Sequence, residues 1–410
     1  MKILIINNLH FHYEMFGYII DFCKKYNHHL DILTDETNNL GILSWYESFF
    51  KYPHLQFIKK IQTEDTKDIQ NEKGESYDYI IYTTDDDMCF VNSIIDINDT
   101  NIYNKSICIE HSFQLRNPFC YYRIGIRNFI KRNIDYAYPC YPVIDYFEKR
   151  KYLSKINNTI NITIIARLDK MKDVNTDYNK IMKLNKHILV NHICYCESEN
   201  KEYYQQLIEK LSESIETSEK NIFFHYNLLY TDIDIILKYT HYIYIPDYKE
   251  SCKYDKTTGA IQLAFNYGCK LIFPEEGYND AYQLSSPIEY ISSPSIKLNK
   301  ETHKDVFDER NRLIKQRDNI IENILNGRLS YRRVDDNFSK KSKIPKKIYQ
   351  TWETSKINTP VLSCLLESVK NNNPDYEYNL FDSLESLDFI EKHFDKEVSE
   401  VYQRIIPGAF

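Results

Sequence analysis

Four absences narrow what this chain of 410 residues can be. No apolar run approaches the roughly 18 to 20 residues that span a bilayer, and the opening MKILIINN is soon followed by His and Glu where a signal peptide would stay apolar. A protein with no transmembrane segment, working in the cytoplasm, is expected. There is no basic excess either: the formal net charge is -7, whereas a nucleic-acid binder draws its affinity from a cationic face that neutralises phosphates. Nucleic acid is therefore not expected among the partners. The ten cysteines are scattered, and their only close pair, Cys194 and Cys196, has no second pair at zinc-site spacing. Buried free thiols in a reducing compartment follow. Finally, the loop after the first apolar run, NNLHFHYEMFG, holds one glycine and no GxGxxG, which argues against a tightly wrapped dinucleotide.

What is present is core material. Hydrophobic residues make up 42% of a chain longer than one core usually serves, so two domains are expected and a third can be accommodated. The 36 tyrosines, with many Ile, Asn and Lys, point to an AT-rich coding bias, such as that of a large DNA virus, in which case the cytoplasm is the host's. Short β-rich runs (MKILIINN, HLDILTD, LQFIKKI, DYIIYTT, SICIEHS, DYAYPCYP) recur through the first 150 residues, some with helix-length segments between them, and Met15, Phe16, Ile19, Ile20 and Cys23 share one helical face. That alternation predicts a mostly parallel, Rossmann-like sheet with crossover helices.

Residues 148–160, EKRKYLSKINNTI, are polar and charged and read as the connection to a second domain. There NITIIARLDKMKDV opens another β/α series, continued by HILVNHICYC, NIFFHYN, TDIDIILKY, YIYIP, TTGAIQLAFNYG and KLIFP. Residues 300–325 predict a long charged helix stopped at Asn326 and Gly327. A basic, apolar-poor stretch then precedes a new apolar pattern near Ile344.

Chemistry-bearing residues gather where strands end. Arg167, Lys170 and Lys172 follow the apolar run Ile162 to Ile165, where a loop can aim cations at a phosphate. His10 and His12 follow the first run, and His111 follows SICIE; a neutral histidine can take a proton from a hydroxyl nucleophile. Asp85, Asp86 and Asp87 end DYIIYTT, where carboxylates can hold a divalent cation or cap a helix.

The second domain resembles the donor-binding half of the retaining GT-B glycosyltransferases of the family 4 type, called glycosyl transferases group 1. The family's GRL-x-x-x-KG turn is matched by ARLDKMKD, with Arg167 and Lys172 on the Arg and Lys that hold the donor diphosphate. Its P-S-x-x-E-G and GLxxLEAMAxGxPVI motifs are matched by PDYKESCKYDKTTGAIQLAFNYGCKLIF, with Pro246 and Glu250 on the Pro and first Glu and Gly268 on the last Gly. The second, ribose-binding Glu falls on Leu263, with Gln262 its polar neighbour. The tail resembles the amino-terminal part of the family 32, DXD-containing glycosyltransferases, through Ile344, Pro345, Lys346, Gln350, Thr351 and Trp352, then Asn373, Pro374, Tyr376, Glu377, Tyr378 and Asp382, with Tyr349 where His is usual. That family's DXD lies beyond the point where this sequence stops.

These resemblances imply an α/β fold of two Rossmann-like domains in a GT-B arrangement with a short, incomplete GT-A-like α/β appendage at the C-terminus. The divisions expected are 1–155 (acceptor side), 156–328 (donor nucleotide), a linker 329–343 and the fragment 344–410. The activity implied is metal-independent transfer, of the hexosyltransferase class, from a nucleotide-diphosphate sugar to a glycan or other acceptor hydroxyl. The nucleotide sugar enters as a substrate and no separate cofactor or metal is implied. The residues expected to act are His111, His10 and Glu250 at the reacting centre, and Arg167, Lys172, Glu250 and Gln262 on the donor. With the second Glu replaced, the alternative is a relative that binds sugar nucleotide or glycan without turnover.

Overall fold

A computed structural model describes residues 1–7, 12–34, 40–59, 77–83, 104–111, 120–127, 135–155, 159–166, 174–185, 187–194, 221–246, 259–274, 288–290, 296–327, 347–351 and 373–394, with a few isolated positions besides. Residues 1–331 form one compact unit and 332–410 a second.

The first sheet is built from β1 (Lys2–Asn7), β2 (His29–Thr34), β3 (Leu55–Lys59), β4 (Tyr79–Tyr82), β5 (Ser106–Glu110) and β6 (Tyr122–Gly125). All pairings are parallel, in the order β3-β2-β1-β4-β5-β6. β1 and β2 are buried at five of six positions and β5 at all five, because helices cover both faces of a parallel sheet and leave no polar alternation. The second sheet repeats the plan with β7 (Ile160–Ile165), β8 (Ile188–Cys194), β9 (Ile222–Tyr226), β10 (Tyr242–Tyr244), β11 (Lys270–Phe273) and β12 (Glu289–Tyr290). Its order, β12-β11-β10-β7-β8-β9, is the first sheet's order read from the other edge. Both are doubly wound, with the topological switch between β1 and β4 in one and between β7 and β10 in the other, which is where such sheets open a crevice at their carboxyl ends. The chain is thus α/β with two Rossmann-like sheets, as the GT-B resemblance implies.

Two expectations need correction. DYAYPCYP is not the sixth strand: β6 is Tyr122–Gly125, and of the expected segment only Tyr136 bridges to Gly125. The segment instead runs buried from one core to the other, Ala137 and Tyr141 joining the first sheet's cluster while Tyr138 and Cys140 join the second's. Residues 148–160 are not a plain polar connection either, since α3 (Tyr146–Leu153) lies there, N-capped by Asp145 through Glu148 N–H at 2.6 Å. Lys149 of α3 is almost fully buried and donates to the carbonyls of Leu237 (3.2 Å), Lys238 (3.4 Å) and Thr240. Those carbonyls end the helix Tyr230–Lys238, so the ammonium neutralises the negative end of a helix dipole. Burial holds its pKa below the usual lysine value, against the raising effect of Cys269 at 3.5 Å.

The remaining helices are α1 (Phe16–Tyr26), α2 (Ile42–Phe50), α4 (Val174–Lys183), α5 (Tyr230–Lys238), α6 (Gly259–Tyr267) and α7 (Lys304–Leu325). α6 ends in the positive-φ Gly268, with Gly268 N–H on Phe265 O and Cys269 N–H on Ala264 O at 3.2 and 2.8 Å. This is the glycine-dependent Schellman stop, and a Cβ there would also run into the Phe307 ring. α7 fastens the sheets together: Val306 and Leu313 sit in the second sheet's core, Ile320, Ile321, Ile324 and Leu325 in the first's. Arg317 of α7, fully buried, holds Asp21 of α1 at 2.9 Å, its neighbour Asp318 at 2.5 Å and the Cys140 carbonyl at 2.6 Å. Removing one partner of so buried a set costs about 3 to 5 kcal/mol.

A second seam is aromatic. Trp45 and Tyr46 of α2 meet Tyr230 of α5 at ring distances of 4.8 and 6.5 Å. The second compact unit contains the parallel pair β13 (Lys347–Thr351) and β14 (Glu377–Phe381), and α8 (Ser383–His393), which starts in a full capping box between Asp382 and Glu385. The six described cysteines are buried, and no helix among the described residues is long and apolar enough to cross a membrane.

Candidate functional site

At the carboxyl edge of the first sheet a polar network occupies the switch point. Asn7, the last residue of β1, accepts from the Thr83 hydroxyl at 2.9 Å, just past β4. His111, just past β5, places Nε2 2.6 Å from the Thr83 carbonyl. A carbonyl can only accept, so Nε2 carries the hydrogen, and in the neutral ring the lone pair lies on Nδ1. Glu110, one residue earlier, is turned to β6 and pairs with Arg123 at 2.8 Å.

The loop after β1 brings in the partners. His12 takes the left-handed conformation, φ 66°, uncommon for a residue with a side chain though less so for histidine. Its ring centre lies 4.2 Å from that of His111. His12 Nδ1 is 3.3 Å from Glu14 Oε1, and the two side chains remain 20% and 34% exposed. For Glu14 burial acts to raise the pKa, but the hydrogen bond and charge of His12, with a smaller contribution from His111, outweigh it and hold the carboxyl below its ordinary value. Glu14 is thus an anion at neutral pH.

The second sheet meets this cluster through the first turn of α6. A Cβ on Gly259 would stand 3.9 Å from Glu14 Cγ, so the helix start and the carboxylate are neighbours. Gln262, 1% exposed, donates from Nε2 to the Glu14 carbonyl at 3.0 Å, while its buried Oε1 has no hydrogen-bond partner among the described residues. Leu263 is half-buried and packs against the hydrophobic clusters of both sheets, a core position. One turn further along the same face of α6, Asn266 accepts from Tyr141 N–H at 2.9 Å, which sets α6 against the buried segment from the first domain.

Of the residues expected to act, the structure brings His111 and Gln262 to one seam, where Glu14 stands between them. His10, Arg167, Lys172 and Glu250 lie outside the described residues, as do Asp85, Asp86 and Asp87. Arg167 follows Ala166, whose carbonyl accepts from His192 Nε2 at 2.9 Å while His192 Nδ1 accepts from Tyr178. A fully buried histidine therefore pins the start of the expected cationic turn. Sequence reasoning passed over Glu14, Thr83, Asn7 and His192. The signal for the first was the H-x-E spacing of His12 and Glu14 next to a strand end; the others carried none.

No family model matches the chain, and no curated protein does. Among solved structures, it overlaps the Anabaena HepE protein in complex with UDP and glucose (11% identity, 83% of this chain and 100% of that chain, TM-score 0.46). It also overlaps a UDP-GlcNAc 2-epimerase from Neisseria meningitidis bound to UDP-GlcNAc (13%, 80% and 100%, TM-score 0.47). A third overlap is with AviGT4, a glycosyltransferase involved in avilamycin A biosynthesis (10%, 80% and 98%, TM-score 0.48). Overlaps this loose assign neither a family nor an activity to this chain.

Proposed function

We propose that the chain is a glycosyltransferase that moves a sugar from a nucleotide-diphosphate sugar to a glycan or other acceptor hydroxyl, without a divalent metal, in the cytoplasm. The observation that carries this reading is the seam itself: an ionised Glu14, with His12 beside it and His111 against His12 at the carboxyl edge of one doubly wound sheet, meets the first turn of α6 from the other. Two doubly wound halves give one surface for a nucleotide and another for an acceptor, and imidazoles beside a carboxylate suit proton removal from a hydroxyl. The donor half of the reading rests on the resemblance. Arg167 and Lys172 would neutralise the departing diphosphate, Glu250 would hold sugar hydroxyls, and Gln262 would offer its Oε1. One loose overlap is with a structure holding UDP and glucose and another with one holding UDP-GlcNAc, which is consistent with that donor class.

A second reading, binding without turnover, is favoured by one observation. Leu263, at the place of the family's ribose-binding Glu, is part of the packing between the two cores. Donor consumption assayed with UDP-, GDP- and ADP-hexoses, with and without EDTA, separates the two. Turnover that survives EDTA supports transfer, and binding with no turnover supports the second reading. Neither binding nor turnover with any donor would overturn both. The appendage, 344–410, is proposed to be a family 32-like fragment that takes no part in the reaction.

A further inference from the structure

The candidate site lies at the carboxyl edge of the first sheet, and a different pair of chemistry-bearing residues meets at its amino edge, where β2 and β3 begin. We propose that His29 and His54 form a binding site for a divalent transition-metal ion of the nickel, copper and zinc group, which fastens the edge strand β3 to β2. The proposal goes beyond the glycosyl-transfer reading and does not depend on it.

The strand register makes the pair. β2 and β3 run parallel with Leu30 opposite Leu55, so the residues one step earlier, His29 and His54, are neighbours across the two strands on one face of the sheet. Both backbones are fixed here: His29 N–H donates to the Met1 carbonyl and Leu30 N–H to the His54 carbonyl, each at 2.9 Å. The two imidazole rings stand 4.5 Å apart, centre to centre, tilted by 47°. The His54 ring also meets the Tyr52 ring at right angles, at 5.7 Å. Tyr52 is buried, with its hydroxyl on the Cys23 carbonyl at 3.0 Å and on that of His28, so His54 rests on a fixed wall. Ligands held in place before the ion arrives are what a metal site requires.

The spacing suits two imidazoles on one ion. A metal–nitrogen bond of about 2.0 to 2.1 Å leaves the ion about 3.2 Å from each ring centre, so the centres stand about 4.5 to 5.2 Å apart when the bonds open between a right angle and the tetrahedral angle. Neither ring has a hydrogen-bond or ion-pair partner among the described residues, and His29 is exposed while His54 is half-buried. Both are therefore within reach of an ion from solvent. Lys2, opposite His29 on β1, is engaged by Asp31 at 3.7 Å and lies 4.4 Å over the Tyr77 ring, so its charge is offset by a carboxylate.

The donor set selects the ion. No group of three or more His, Cys, Asp or Glu side chains suited to a metal occurs among the described residues, so here the protein supplies two nitrogens and water the remaining positions. Imidazole suits nickel, copper and zinc, whereas Mg²⁺ and Ca²⁺ take oxygen. Copper should bind tightest, with nickel and zinc behind it. Each imidazole coordinates through one nitrogen and keeps its hydrogen on the other. Among the described residues β3 pairs only with β2, and an ion that binds the assembled pair raises folded-state stability by mass action. It stands at the opposite end of the strands from His111, which follows β5, and takes no part in the proposed transfer.

The test uses the full chain, stripped of metal with EDTA and gel-filtered, and the chlorides of Cu²⁺, Ni²⁺, Zn²⁺ and Mg²⁺. One equivalent of Cu²⁺ should give an electron paramagnetic resonance spectrum split by two imidazole nitrogens. Ni²⁺ and Zn²⁺ should raise the melting temperature in a concentration-dependent way, and Mg²⁺ should leave it unchanged. His29→Asn and His54→Asn should each weaken Cu²⁺ and Ni²⁺ binding by roughly tenfold or more, since even the loss of an outer-shell partner costs that much, while His187→Asn, at another exposed histidine, should bind as the wild type does. Wild-type affinity in either single variant, a first-equivalent spectrum showing one nitrogen or none, or an equal response to Mg²⁺ overturns the proposal. Should a variant fail to fold, the wild-type spectrum decides alone. Failure here leaves the glycosyl-transfer reading standing, and failure of that reading leaves this site standing.

Discussion

Acidification should weaken the second sheet through two histidines that have no part in the proposed chemistry. His241, 2% exposed, accepts the Asn161 N–H on Nδ1 at 3.0 Å, so protonating that nitrogen would set two donors against each other. Burial, with the charges of Lys149, His303 and Lys300, pushes its pKa down from 6.5 to about 3. His303, at the start of α7 with its ring 5.1 Å from that of Tyr242, is pushed down to about 4, chiefly by burial and the Lys270 charge, with Asp305 opposing. The unfolded chain therefore binds more protons than the folded one below pH 6.5. Stability is fully present above that value and is lost as the pH falls towards the folded values, at about 1.4 kcal/mol per pH unit for each group. By pH ~5 each histidine contributes a loss of about 2 kcal/mol. The Lys149 charge contributes to both shifts and His303 to that of His241, so the two losses overlap in part and roughly 3 to 4 kcal/mol is expected together, a large part of an ordinary stability. The measurement is urea unfolding of the wild type and of His241→Asn with His303→Asn, at intervals from pH ~7.5 down to ~5. Asn keeps an acceptor for Asn161 N–H but cannot titrate, so the difference between the two proteins isolates these positions from His28 and His225, whose pKa values burial also lowers. Parallel pH dependence in the two proteins would refute the reasoning.

Three further outcomes are expected. Arg167→Ala combined with Lys172→Ala should largely abolish UDP or GDP binding in calorimetry, each charge-assisted contact contributing roughly 1.5 to 3 kcal/mol; equal affinity in both proteins would remove the donor assignment. Leu263→Glu should lower stability by about 2 kcal/mol without tightening nucleotide binding, because it brings a charge into the packing between the two cores; tighter binding or new turnover would show that the position still faces the ribose. A chain ending near Lys340, close to the boundary between the compact units, should keep nucleotide binding and turnover with or without EDTA, and loss on truncation would move the chemistry towards the tail.

Sheet formation left clear marks in the sequence because parallel strands covered on both faces are short continuous apolar runs. β1, β2, β5 and β7 are each such a run, buried throughout or nearly so. β6 was not legible. At four residues, YRIG has one charged side chain and ends in glycine, while DYAYPCYP nearby is longer and more apolar. That second segment is apolar for another reason, since it passes buried between two cores. α3 was hidden by its charges: nothing local reveals that Lys149 will point at three carbonyls at the end of α5, more than 80 residues along the chain.

The site shows the same division between what a strand end announces and what only the fold assembles. His111 was legible because a histidine directly after a buried strand must stand at the carboxyl edge of its sheet. His12 was visible on the same ground, but its distinction from His10 depends on features a linear pattern does not carry. They are the left-handed backbone at residue 12, the 4.2 Å approach of a ring 99 positions later, and the carbonyl of Glu14 held by Gln262 from the other sheet. Gln262 illustrates the point from the opposite direction. Motif matching placed it near the donor as the polar neighbour of the position matching the family's second Glu, yet its amide nitrogen is committed to the loop that carries His12 and Glu14. Leu263 packs between the two cores, and its neighbour Gln262 fastens the loop of His12 and Glu14 to the second sheet, so what stands at this seam is set by contacts between the two sheets that no linear motif records.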